Sequence, residues 1–285
     1  MTVKMEAVGA SRSRAVAAGG RPRRGPHRWR LWERIALSFG GVVALALIFE
    51  LLSRYAFRNP DYVPPFTQVL GRFFELFAEP LFYAQLWQTM SGFLLGVAIA
   101  TVLGIALGVL FGLSEITYRS SNTVIELLRP IPAVALIPVA ILLFGTNLLM
   151  NTVIVVFASI WPIMFNALYG VRNVDPLAKD MARSFGRSRF DIVRSVVLPA
   201  ALPMMWAGVR VSSTISLIVV ITLELYLGGT AGVGGMISQA RAGGNDVLSA
   251  YAAIIVAGLL GLLVNVVLAA IERRFFAWST TTKEG

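Results

Sequence analysis

Few residues in this chain have types and spacings that could do chemistry. His27 is the one histidine among 285 residues, and there is no cysteine. That leaves no disulfide and no thiolate site, and a lone imidazole makes neither a metal site nor an acid–base pair. No run resembles the glycine-rich phosphate cradle with its lysine that ATP hydrolysis requires. The remaining reactive groups are charges set inside apolar runs: Glu50 with Arg54, Glu126 with Arg129, Arg210, and Glu224. A charge at the centre of a membrane helix costs roughly 2.5–3.5 kcal/mol, and less near an end. Glu50 and Arg54 are four apart and can pair on one helical face. Glu126, Arg129 and Arg210 read as snorkelling or mutually paired groups. Glu224, in Leu223-Glu224-Leu225-Tyr226 just before Gly228-Gly229, is a poor ligand for an anion and reads as a gating or paired carboxylate.

The elements that must hold these groups are apolar helices. The chain is 56% hydrophobic and only 14% charged, against roughly 25% charged in a soluble domain. That excludes a soluble enzyme of average composition and a disordered chain alike. A crossing needs about 20 apolar residues. Uncharged runs predict six, at about residues 35–56, 86–113, 122–144, 149–170, 203–226 and 248–271. Gly145, Thr146 and Asn147 split one long run into two helices. Pro130, Pro132 and Pro138 fall at and within the third crossing and Pro162 in the fourth. Such breaks are tolerated beside a cavity or a neighbouring helix, so these prolines either line a pathway or set packing geometry. Gly92, Gly96, Ala100, Gly104, Gly108 and Gly112 repeat every four residues and predict a packing face, within one subunit or across a dimer.

The net charge of +10 has two readings, nucleic acid or membrane topology. Nine basic residues precede residue 35, six more lie in 171–200, and Arg119, Arg273, Arg274 and Lys283 sit in other connections of the same side. The opposite connections carry only Arg58, Arg72 and Arg241. The positive-inside rule then places both termini in the cytoplasm. The Arg-rich start reads as an orientation signal, not as a nucleic-acid arm or a cleaved signal peptide.

The most organised segment outside the spans is 174–203. Asp175-Pro176 is a helix start. Leu177, Met181 and Phe185 make one apolar stripe, with Lys179, Asp180 and Arg183 off it. Gly186 breaks the helix, Phe190, Val193 and Val197 make a second stripe, and Leu198-Pro199 is expected to end it. Short helices are marginal alone, so these faces must pack on the protein's own helices or on a partner.

Asp180-Met181-Ala182, Gly186 and Val196-x-Leu198-Pro199 resemble, in sequence and spacing, the EAA motif of ABC-importer permeases. Asp180 stands for Glu and Met181 for the first Ala. Val63-Pro64-Pro65, the run Leu127 to Ala133 with Ile137-Pro138, and Glu272-Arg273-Arg274 resemble the nitrate, taurine and aliphatic-sulfonate branch. The resemblance covers about residues 62–275. It implies an all-α integral membrane protein of type I ABC-importer permease architecture, in a bacterial inner membrane. It also implies a homodimer, a cytoplasmic ATPase docked on 174–203 through the motif residues, and a periplasmic binding protein that delivers a small anionic solute. ATP and Mg would be bound by the ATPase, with no cofactor, metal or catalytic residue on this chain and no nucleic acid among its partners. Pro130, Pro132, Pro138 and Glu224 are the pathway or gate candidates. The organisation expected is a basic tail at 1–33, a first helix and outer loop at 34–84, a permease core at 85–275 and a C-terminal tail at 276–285. The alternative is an ion-coupled secondary transporter; it is disfavoured by the absence of a convincing internal repeat and by mostly charge-free span centres. A membrane enzyme would need a cluster of catalytic groups that the chain lacks.

Overall fold

The computed structural model describes residues 31–57, 62–228, 232–242 and 246–276. The basic tail up to residue 30, the C-terminal residues from 277 and residues 229–231 of the glycine-rich stretch lie outside them. All described secondary structure is helical: α1 Leu31–Leu51, α2 Phe66–Leu76, α3 Pro80–Leu113, α4 Glu115–Leu128, α5 Ile137–Phe144, α6 Leu148–Arg172, α7 Pro176–Ser184, α8 Arg189–Ile192, α9 Leu198–Leu227, α10 Gly232–Ala242 and α11 Val247–Phe275. The chain forms two units, 1–48 and 49–285. In the first, α1 exposes Leu37, Phe39, Val42, Leu45 and Leu47, as a helix surrounded by lipid does.

The core of the second unit is α3, α6 and α9. The glycine stripe of α3 makes it possible: Gly96 lies against Val155, Gly104 against Ile163 and Gly112 against Val171. The two helices therefore run parallel in constant register. A Cβ on Gly104 would come within 2.9 Å of the Ile163 side chain, and one on Gly112 within 2.7 Å of Val171. The stripe is thus a packing face within one subunit. Helix α9 runs antiparallel to α6. Gly170 meets Ala201 at one end, and Gly208 lets the backbone carbonyl of Pro162 approach. A buried ladder of hydroxyls joins them further along: Ser212 donates to the Ser159 carbonyl at 2.7 Å, and the Ser159 and Ser216 hydroxyls are 2.5 Å apart. Such polar contacts replace the hydrophobic drive that lipid does not supply.

Among the described residues, five helical stretches are long and apolar enough to cross a membrane. The third expected crossing is different. It is broken into α4 and a 3-10 turn plus α5 at Ala133–Phe144, bent by 78°. Pro130 and Pro132 mark the break: Arg129 still has helical geometry at φ −57° and ψ −43°, but neither proline can donate a backbone hydrogen bond, and Pro132 is extended at ψ 121°. Pro138 was expected inside a span, but it occupies the first turn of α5, where a missing N–H costs nothing. Because α3 and α6 are parallel, the α4–α5 segment must return the chain between their opposite ends. It is a sixth crossing in broken form. The bundle end of Leu113, Glu115 and Arg172 is tied by an Arg172–Glu115 ion pair at 2.7 Å, with Arg172 over the Tyr118 ring. The other end carries α2 and α10.

The charges inside the spans resolve one by one. Glu50 pairs with Arg54 at 2.6 Å, as the spacing predicts, and also accepts from the Thr67 backbone N–H, capping α2. Glu126, Arg129 and Arg210 do not pair with one another. Glu126 accepts from Asn122, Arg129 lies over the Phe165 ring, and Arg210 joins Glu272 and Asn265 of α11.

Candidate functional site

The 174–203 segment joins α6 to α9 at the Arg172 end of the bundle. Asp175 caps α7 by accepting from the Leu177 N–H at 2.9 Å, and Pro176 fills the first helical position. Gly186 ends α7 at a φ of +75°, a left-handed conformation that an L side chain resists. Its N–H donates to the Arg183 carbonyl, and the next N–H, of Arg187, to Ala182. Ser188 then caps α8, accepting from Asp191.

Past α8 the structure corrects the sequence expectation. Leu198-Pro199 does not end a helix. A π turn over Val193–Val197 carries the chain from α8 into α9, making one continuous element of 39 residues, Arg189–Leu227. In an α-helix the Pro199 ring would collide with the carbonyl four residues back, that of Ser195. That carbonyl lies in the π turn, whose wider i→i+5 ring makes the room.

The segment has an inner and an outer side. Val174, Ile192 and Val197 are buried against Ala167, Val171, Ala201 and Met205, with Ala182, Val196 and Leu198 packed at the edge. Leu177, Met181 and Phe185 are exposed, Phe185 by 81%. Phe190, expected in a stripe with Val193 and Val197, is instead 71% exposed while those two are covered. The inner stripe is Ile192, Val193, Val196 and Val197, because the π turn shifts the helical phase. Asp180 pairs with Arg183 at 2.8 Å in the open. Of the motif residues, Ala182, Val196 and Leu198 therefore serve the inner packing, Gly186 the turn, Pro199 the start of α9, and Asp180 and Met181 face outwards.

Glu224 lies at the far end of α9, roughly 40 Å from Leu198 at 1.5 Å rise per residue. It is 2% exposed. The Thr89 hydroxyl of α3 donates to its carboxylate at 2.8 Å, and the Gly234 N–H donates to it at 3.0 Å. Thr89 in turn accepts from the Val233 N–H at 2.9 Å. Two side chains from two spans thus cap the N-terminus of α10, where a carboxylate complements the helix dipole. Among the described residues Glu224 has no cationic partner. Thr89 and the α10 amides were not legible in sequence, since Thr89 is 135 residues from Glu224 and neither belongs to a local pattern.

The predicted residues are not brought to one place. The motif residues stand at one end of α9 and Glu224 at the other, and Pro130, Pro132 and Pro138 lie in the α4–α5 break. A cleft of about 410 Å³ between α9 and α11 is lined by Ser213, Thr214, Thr222, Ile254 and Gly258, and by neither the prolines nor Glu224. Among the described residues there is no cluster of histidine and acidic groups able to hold a metal.

Residues 100–277 match the family described as binding-protein-dependent transport system inner membrane component. The chain is 29% identical to the taurine transport system permease protein TauC of Escherichia coli (strain K12), over 88% of this chain and 92% of that one. It is 30% identical to the bicarbonate transport system permease protein CmpB of Synechococcus elongatus, over 91% and 93%. Among solved structures, an inward-facing MetNI methionine ABC transporter chain is similar in fold, with a TM-score of 0.59 at 20% identity, covering 69% of this chain and 98% of that one.

Proposed function

The chain belongs to the binding-protein-dependent transport system inner membrane component family, as a multi-pass permease, and from that premise we propose that it is the translocating subunit of an ATP-driven importer. In this reading a second copy completes the pathway, a periplasmic binding protein hands over the solute, and a cytoplasmic ATPase docks on 174–203. Both termini and that segment face the cytoplasm, consistent with the concentration of basic residues at the Arg172 end. The solute is small and carries an anionic oxygen-bearing group. Relatives named for taurine, bicarbonate, nitrate and aliphatic sulfonates support that class.

The observation that carries the ATPase assignment is the exposed stripe Leu177, Met181 and Phe185 on a capped helix outside the spans. A capped amphipathic helix with its apolar stripe outward lacks a partner for that stripe. The stripe is the docking surface, and the inner packing on Ala167, Val171 and Met205 transmits the force into α6 and α9. Leu177→Ser with Met181→Ser should leave the permease inserted and abolish co-purification of its partner ATPase. Undiminished co-purification with normal uptake would defeat the assignment.

A further inference from the structure

On α7 Lys179 is half-buried towards the bundle, while Arg183, one turn on, is largely exposed. Lys179 and Arg183 each lie two residues beyond Leu177 and Met181, about 200° around the helix. With Arg189 they line a cleft of about 480 Å³ whose apolar wall includes Leu113, Val171 and Val193. Arg183 shares its charge with Asp180. Lys179 and Arg189 have no ion pair among the described residues. Three cations on one cleft repel one another unless an anion joins them.

The shape of the surroundings points to one kind of anion. Leu113 closes the 34-residue span α3, so the cleft opens at the level where that span leaves the membrane. Leu103, Leu110 and Leu113 are about half exposed and fall within about 100° of one another on the helix. They form an apolar track that ends at the cations. We infer that the cleft holds the phosphate headgroup of an anionic phospholipid of the cytoplasmic leaflet, with its acyl chains along Leu103 and Leu110. A free phosphate shares the headgroup chemistry but makes no use of the track. The inference rests on the cytoplasmic reading of 174–203 above. It adds that the segment is seated on lipid on one side while its apolar stripe meets the ATPase on the other.

The test uses the permease with its ATPase in nanodiscs of mixed phosphatidylglycerol and phosphatidylcholine, with the retained lipid counted by native mass spectrometry. Lys179→Gln with Arg189→Gln should lower phosphatidylglycerol retention about thirtyfold, the scale set by two basic side chains at an anionic surface. Lys179→Arg with Arg189→Lys should restore it, which separates charge from folding. Retention in the Gln variant equal to wild type overturns the inference. So does release of the lipid by excess inorganic phosphate, which makes the cleft a free-phosphate site. So does an equal loss in Arg119→Gln, an exposed charge outside the cleft, since the effect is then general surface potential. ATPase co-purification is followed in the same samples: its absence where lipid is retained contradicts the docking reading and leaves the lipid site standing.

Discussion

The Thr89 hydroxyl and the Glu224 carboxylate, 2.8 Å apart and buried between α3 and α9, divide between them the second and third amides of α10, those of Val233 and Gly234. Removing the hydroxyl leaves the Val233 N–H and one carboxylate oxygen without their partner. A buried group so orphaned costs about 1–3 kcal/mol. Thr89→Val should therefore speed amide exchange at Val233 and Gly234 by roughly tenfold or more. Exchange unchanged at both amides would mean that α10 is held by its apolar contacts alone.

Glu224→Gln keeps one acceptor and exchanges the other for a donor. Thr89 and Gly234 both donate to Oε2, so an amide oxygen in that place keeps those bonds while the Thr89 contact at Oε1 is lost. We expect insertion to be preserved and uptake reduced, as for a gate whose latch is loosened. Uptake at the wild-type rate would remove Glu224 from the gate and leave it a cap.

A Cβ at Gly186 meets open space, so the cost of substitution is conformational. A β-branched residue at a φ of +75° costs about 1–2 kcal/mol, enough to tilt the turn between α7 and α8. Gly186→Val should lower ATPase-stimulated hydrolysis with membrane insertion unchanged. Gly186→Asn should be milder, since Asn tolerates the left-handed region. Equal behaviour of the two variants would show that the turn's conformation is not what couples.

Gly104→Val should be severe and Gly92→Ala mild. The former presses a branched side chain into Ile163 and the Ile160 carbonyl, while a Cβ at Gly92 finds its neighbours at 3.9 Å. Overpacking costs about 1–3 kcal/mol, read as a lower melting temperature in detergent. Similar melting of both variants would contradict the parallel α3–α6 register.

Pro130→Ala with Pro132→Ala restores two backbone donors where α4 breaks, while Pro138→Ala changes a position whose donor is not used. The double variant should alter uptake and the single one should not. Wild-type uptake in both places the break outside the translocation pathway.

Much of this was legible in the sequence. Uncharged runs located the spans, because burying charge in lipid is costly wherever it occurs. Asp175-Pro176 and Gly186 marked both ends of α7, because caps and left-handed turns are local events. Leu198-Pro199 misled for a physical reason: proline is equally at home just after one helix and in the first turn of the next, and only the π turn decides. Phe190 was misassigned with it. The parallel register of α3 and α6, the return through a broken span, and the meeting of Thr89 with Glu224 depend on contacts far apart in the chain, and no local spacing encodes them.

The π turn at Val193–Val197 also makes chain length count for more than residue identity at this point. It holds one extra residue per turn, equivalent to a rotation of about 100° of everything on one side of it relative to the other. A deletion of one residue there would convert it to ordinary helix and swing α7 around the axis of α9. Leu177 and Met181 would then be carried away from the direction in which they now face, although every side chain remained present. Related chains should therefore conserve the residue count of this turn as strictly as the apolar character of its inner side chains, and a docking partner would experience the lost residue as a change of angle.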